Sequence, residues 1–270
     1  MSYKTILVQT RTDAAGTRAL AVAKTVGRMF EAALLGVAAE AFDDTVYDDA
    51  AGELIAAERQ LVETDVADAR TRFQTMTRDW PHGARCVSSA DFPLEVMTRH
   101  AKAADLIVAA RTPGRGRAAS DCDLAALVMQ AGLPVLLAAD GTADLKAEHI
   151  VVAWRDQREA VRAVSDALPL LIRARTVRLV SIAPVDQQDP ARASLEEVRR
   201  RLARHGVAAE IQVTSPTANV TGDLEAAADR VHSDLIVAGA YSHNRVREWA
   251  LGGVTQDWIA GSGKFVLFSR

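Results

Sequence analysis

The sequence predicts an α/β protein written twice, each copy a five-stranded parallel sheet with helices on both faces. Repetition is the first observation: Asp105-Leu-Ile-Val-Ala109 returns as Asp234-Leu-Ile-Val-Ala238, an offset of 129 residues. Neighbouring segments return with it. Ile6-Leu-Val-Gln-Thr-Arg11 corresponds to Ile150-Val-Val-Ala-Trp-Arg155 at an offset of 144, and Gly132-Leu-Pro-Val-Leu-Leu137 to Gly263-Lys-Phe-Val-Leu-Phe268 at 131. Recurrence of whole segments at such spacings marks a duplicated unit. The second observation is that these segments are short, unbroken apolar runs, the pattern of strands buried on both faces of a helix-covered parallel sheet. The third is alternation, because stretches of helical pattern such as Pro93 to Ala104 and Gly222 to Ser233 separate the runs.

In the first copy, strands fall near 5–10, 33–39, 84–89, 105–110 and 134–138, with helices near 15–29, 50–79, 93–103 and 122–131. The second copy places strands near 149–154, 177–183, 209–214, 234–239 and 264–268, and helices near 158–172, 191–205, 221–232 and 253–260. The helix over 50–79 carries Leu54, Ile55, Leu61, Val62, Val66, Ala69 and Phe73 close to helical spacing, one apolar face for its own sheet or for another chain. Its length explains why the offset falls from 144 to 129. Asp140-Gly-Thr-Ala-Asp144 is a turn-prone linker, so residues 1–142 and 146–270 form the two expected domains.

Composition excludes several classes. The 270 residues are 49% hydrophobic and 25% charged, as in globular domains and unlike disordered chains. No apolar stretch approaches the ~18 residues of a membrane span, and the N-terminus runs straight into a strand, so a cytoplasmic protein with no membrane partner is expected. Lys and Arg total 32 against 35 Asp and Glu, a net charge of −3 without the basic footprint of a nucleic-acid binder. Cys86 and Cys122 belong to no CxxC or Cys/His cluster, which predicts free thiols. The six histidines show no metal-binding spacing, the Asp43-Asp44 and Asp48-Asp49 stretch lacks calcium-loop spacing, and no G-x-S-x-G elbow is present.

Ligands of open parallel sheets bind beyond the carboxyl ends of the strands, where strand order reverses. The loops after the first and fourth strands of each copy are therefore the candidate sites. In the second copy, strand four runs into Gly239-Ala-Tyr-Ser242-His243-Asn-Arg-Val-Arg-Glu-Trp-Ala-Leu-Gly252-Gly253-Val254-Thr255. Small residues admit a ligand to the backbone, the last helix opens with free N–H groups, and Thr255, Arg245 and Arg247 add donors and charge.

GAYS, a nine-residue spacer and GGVT resemble the nucleotide-binding signature of the universal stress proteins, G-x-x-G, nine residues, then G-[Ser/Thr]. The five-strand arrangement in duplicate resembles the same family over nearly the whole chain. The resemblance implies two tandem Rossmann-like domains of the adenine nucleotide alpha-hydrolase type, and a stress-response protein that binds an adenine nucleotide, ATP with magnesium, in its second domain. Gly239 and Gly252 match the signature, while Ser242 and Gly253 depart from it. The family's acidic residue after strand one, which meets ribose or adenine, is Arg155 here, and Ala153 and Trp154 precede it. Trp154 is placed either to stack on a base or to pack the core. Ile182 falls where the family offers backbone groups to adenine. The resemblance also implies that the halves form an intramolecular pseudo-dimer through pairing of Val135–Ala138 with Phe265–Phe268, alone or as a homodimer.

The first copy departs further. Its three glycine positions carry Ala110, Pro113 and Asp123, and Arg11 replaces the acidic residue. Asp121 is expected to cap the helix over 122–131, with Asp123 in its first turn, where carboxylates repel a phosphate. Arg111, Arg115 and Arg117 read as a solvated charged loop or, as the alternative, an anion-binding cluster. Two further patterns, Gly114-Arg-Gly116-Arg-Ala-Ala119 and Gly261-Ser-Gly-Lys264, lack the strand-to-helix context of nucleotide loops. Three functions remain: a nucleotide-binding stress protein, a nucleotide-free interaction module, and a slow ATPase. No metal site and no catalytic residue is assigned.

Overall fold

A computed structural model of the chain describes residues 2–42, 52–111, 121–141, 144–240 and 253–270. The chain divides into two compact units, one of Tyr3–Ala131 and one formed mainly by Gly132–Arg270.

In the first unit the order along the chain is β1 (Thr5–Gln9), α1 (Ala14–Phe30), β2 (Ala33–Ala39), α2 (Gly52–Met76), β3 (Ala84–Ser89), α3 (Pro93–Ala101), β4 (Leu106–Ala109) and α4 (Leu124–Gln130). The strands lie parallel as β3-β2-β1-β4. Successive strand residues face opposite sides, so the uninterrupted burial of Ile6–Gln9 and Leu106–Ala109 means that both faces are covered. Asp13 starts α1 by accepting a hydrogen bond from the Gly16 N–H at 2.8 Å. The lower part of α2 buries Val62, Ala69 and Phe73, whereas Leu54 and Leu61 of its predicted apolar face stay exposed. Phe73 needs Gly36 beneath it, where a Cβ would stand 2.8 Å from the ring.

The second unit contains β5 (Val135–Leu137), β6 (His149–Ala153), α5 (Arg158–Asp166), α6 (Leu168–Arg173), β7 (Thr176–Ile182), α7 (Gln188–Ala203), β8 (Ala209–Thr214), α8 (Val220–Asp229), β9 (Leu235–Gly239), α9 (Val254–Ala260) and β10 (Phe265–Ser269). Its strand order is β5-β10-β9-β6-β7-β8. All neighbours are parallel except β5 and β10, which run antiparallel with Val135 opposite Phe268 and Leu137 opposite Val266. The fifth strand of the first copy thus finds the partner that the family resemblance implies. One predicted helix is broken: residues 158–172 form two helices, because Pro169 in the first turn of α6 has no N–H to continue α5.

The repeated aspartate has a common task. Asp105 Oδ2 accepts from the N–H groups of Lys4 and Thr5 at 2.7 and 2.9 Å, and Asp234 accepts from those of Glu148 and His149, both at 3.1 Å. Each carboxylate therefore sets the amino end of the fourth strand against that of the first. Charged hydrogen bonds of this kind contribute on the order of 1–3 kcal/mol when buried. Exposed Asp105 is expected at the low end, so Asp105→Ala should cost about 1 kcal/mol and half-buried Asp234→Ala about 2 kcal/mol in urea unfolding. Equal, negligible losses would show that the repeat has another cause.

Candidate functional site

The loops after β1 and β6, and those after β4 and β9, reach the carboxyl ends of the strands. In the first unit this region is closed by an ion-pair network. Arg11 Nη2 lies 2.7 Å from Asp13 Oδ2, and its Nη1 donates to Asp121 Oδ1 at 2.7 Å. The guanidinium side chain is only 15% exposed. The capping role expected of Asp121 therefore belongs to Asp123, which accepts from the Ala126 N–H at 3.0 Å, because α4 starts only at Leu124 and leaves Asp121 free to meet Arg11. Arg111 is a second correction: it is buried, 7% exposed, at the end of β4, and its carbonyl accepts from Arg18. Arg115 and Arg117 lie outside the described residues.

Beside this network a cleft of about 140 Å³ opens between the ends of β1 and β2 under α2, with Arg11, Asp13, Glu40 and Asp65 in its lining. Cys122, two residues before α4, has its thiol pushed up to about 12, first by burial and then by Asp123. Burial likewise raises Cys86 to about 11. Both thiols are free. A thiolate is the reactive form, so neither cysteine should react appreciably with a disulfide reagent near neutral pH until the protein is unfolded. Rapid labelling of the folded protein would contradict this.

The second unit treats corresponding positions differently. Ala153 ends β6 half-buried, and Trp154 is buried with its indole N–H bonded to Ser194 of α7 at 3.0 Å. Arg155, the counterpart of Arg11, is exposed and forms no ion pair among the described residues. Gln157, the counterpart of Asp13, precedes α5 but its side chain makes no cap. Ile182 is the last residue of β7 and is half-buried. Gly239 ends β9 against the head of α5, where a Cβ would stand 2.6 Å from Ala160 N and from Glu159 C. Packing alone requires this glycine. Glu159 itself is buried, 4% exposed, and paired with Arg158 at 2.9 Å. It looks in sequence like any acid in a first helical turn, and only the approach of β9 gives it a place at the strand ends.

Ser242, His243 and Gly252 lie outside the described residues, with Arg245, Arg247 and Trp249. Gly253 precedes α9 at φ 86°, a left-handed conformation that favours glycine, and no side chain caps the helix. Val254 opens α9 half-buried and Thr255 is buried in its first turn. Trp258 fixes α9 from below, fully buried, with its N–H donating to Glu225 at 3.0 Å and its ring 6.2 Å from that of Phe268. Among the described residues no cluster of His, Cys, Asp or Glu could hold a metal ion, and no helix is long and apolar enough to cross a membrane.

Parallel strands with helices between them, and with the loops after β1, β4, β6 and β9 following their carboxyl ends, define a parallel-sheet α/β architecture. Solved structures narrow the class. A universal stress protein from Archaeoglobus fulgidus superposes with a TM-score of 0.69 over 98% of both chains at 12% identity. A protein of Pseudomonas aeruginosa classed with the universal stress proteins gives 0.65 over 99% of this chain and 93% of its own at 17% identity. A functionally unknown protein of the same organism gives 0.63 over 99% and 92% at 15% identity. No protein-family model and no curated protein matches the chain. The chain has the universal stress protein fold, in tandem, and the likeness extends through both halves.

Proposed function

We propose that the protein serves the stress response and that its second half receives an adenine nucleotide, ATP with magnesium, while its first half is structural. One observation supports the reading: the arginine after the first strand is ion-paired in one copy and exposed in the other, among the described residues. In the first, Arg11 is held between Asp13 and Asp121, and Asp123 fills the head of α4. In the second, Arg155 is exposed, and neither Gln157 nor Gly253 puts a side chain on the helix that follows it. A capping carboxylate occupies the N–H groups a phosphate would take, whereas the first-turn acids of α5 and α9, Glu159 and Asp257, do not cap their helices and are engaged by Arg158 and Thr221. The site groups assigned to the nucleotide are Ala153, Trp154, Arg155, Ile182, Gly239, Ser242, His243, Gly252, Gly253, Val254 and Thr255, with Trp154 packing beneath the ligand.

Calorimetric titration with ATP and magnesium tests this. Saturable heat that disappears in Gly253→Asp is expected, and no heat up to millimolar nucleotide overturns the reading. The replacements at Arg11, Arg155, Ser242, Gly253 and Asp123 favour a second reading, an interaction module free of nucleotide. Native mass spectrometry separates the two, since co-purifying ATP refutes the second. Slow ATP hydrolysis has less support: the buried carboxylate at the described strand ends of this half, Glu159, is paired with Arg158.

A further inference from the structure

We infer that the outer edge of β3 docks an acidic peptide, taken up in extended form as a further strand of the first unit's sheet; this stands independently of any nucleotide. β3 ends the order β3-β2-β1-β4 and pairs with β2 on one side. The Leu34 N–H donates to the Gly83 carbonyl at 2.9 Å and the Glu40 N–H to the Ser89 carbonyl at 3.4 Å, so the odd-numbered residues turn their backbone groups toward β2. Those of Ala84, Cys86 and Ser88 point the other way, where no strand among the described residues answers them. Neither a proline nor a bulge protects this edge, since the register with β2 is continuous from Ala84 to Ser89.

What the edge does carry is positive charge. α2 packs over one face of β3, while on the other face α3 lies on β2 and β1 and leaves β3 as a ledge beside it. Arg85 is exposed on that ledge, near the last turn of α3. His100 is held below its ordinary pKa first by burial and then by Arg85, Arg99 and Lys102, so three cations converge on one place. Among the described residues Arg99 has an ion-pair partner, Asp91 at 3.4 Å, and Arg85 and Lys102 have none. The edge strand of the second unit, β8, differs, because its Glu210 is answered by Arg178 of β7. Charge then decides the partner. A second copy pairing along β3 brings the same cations and is repelled, whereas a strand bearing carboxylates gains main-chain bonds and opposite charges together.

The test uses the full chain and two fluorescent octapeptides, one alternating Glu with Val and the other alternating Lys with Val. In anisotropy titrations at neutral pH the acidic peptide is expected to bind saturably, about tenfold or more tightly than the basic one. Amide exchange across residues 84–89 should slow when it is bound. Two substitutions separate charge from edge. Arg85→Glu should weaken binding by about tenfold. Ser88→Pro removes an outward N–H without touching the ladder to β2, and should abolish binding. An unchanged urea midpoint shows that each variant is folded; should Ser88→Pro lower it, the exchange result decides for the edge. No saturable binding at millimolar peptide, equal binding of the two peptides, binding that survives in folded Ser88→Pro, or binding that leaves exchange at 84–89 unchanged overturns the inference.

Discussion

Gly239→Ala is expected to destabilise the second half by about 3 kcal/mol, at the upper end of ordinary overpacking. A single methyl has this effect because of what it meets. The new Cβ would stand 2.6 Å from two backbone atoms of α5, Ala160 N and Glu159 C, and 2.9 Å from the Glu159 Cβ. A flexible side chain could turn away, but a helix head cannot, so either α5 or the end of β9 must move. The loss should appear as a lower urea midpoint in tryptophan fluorescence, with no nucleotide present. An unchanged midpoint accompanied by lost nucleotide binding would show instead that this glycine serves the ligand alone. The distinction matters because Gly239 is also the glycine that opens the GAYS segment, and a motif residue is easily credited to function when packing already demands it.

Trp258→Ala should cost about 4 kcal/mol, in the range of large aromatic truncations in cores. The side chain is fully buried, it lies against Phe268 of β10, and its N–H is bonded to Glu225 of α8. Removal leaves a cavity and an orphaned carboxylate oxygen together. Because α9 is only seven residues long and is fixed to its surroundings by this residue and by the contact of Asp257 with Thr221, its head should lose its position before the sheet unfolds. Trp258→Phe, which keeps most of the ring and loses the hydrogen bond, is expected to cost about 1–2 kcal/mol. Similar losses for the two variants in denaturant titrations would contradict the cavity argument.

Strand positions were legible in the sequence because burial on both faces writes itself as unbroken apolar runs: LIVA at 106–109 and LIVAG at 235–239 are strands with buried residues at nearly every position. Helix interiors were legible for the same kind of reason, since periodicity is local. Interruptions were less so. Pro169 splits a helix whose apolar pattern continues through it. The site was legible in outline, as loops at strand ends, and obscure in its wiring. Arg11 and Asp121 are 110 positions apart in the chain, and no periodicity links them. Choosing Asp123 over Asp121 as the cap needed the start of α4 to within two residues, a precision that periodicity does not give. The inequality of the two copies could be anticipated from the acids at 121 and 123, but its mechanism, one arginine spent and the other unspent, emerged only from the folded geometry.

The pairing of β5 with β10 has a consequence for how such a protein can be inherited or rearranged. Residues 135–137 precede the turn-rich stretch at 140–144, yet they belong to the compact unit that follows it. A recombination event at that stretch would separate strand from partner: the downstream gene would encode a sheet whose β10 edge is bare, with Val266–Phe268 offering unpaired backbone groups to any neighbouring chain. The convenient cutting point in the polypeptide is thus an inviable one in the fold. Two copies fused in this way can diverge in ligand chemistry, but neither can leave at the linker without taking or losing a strand.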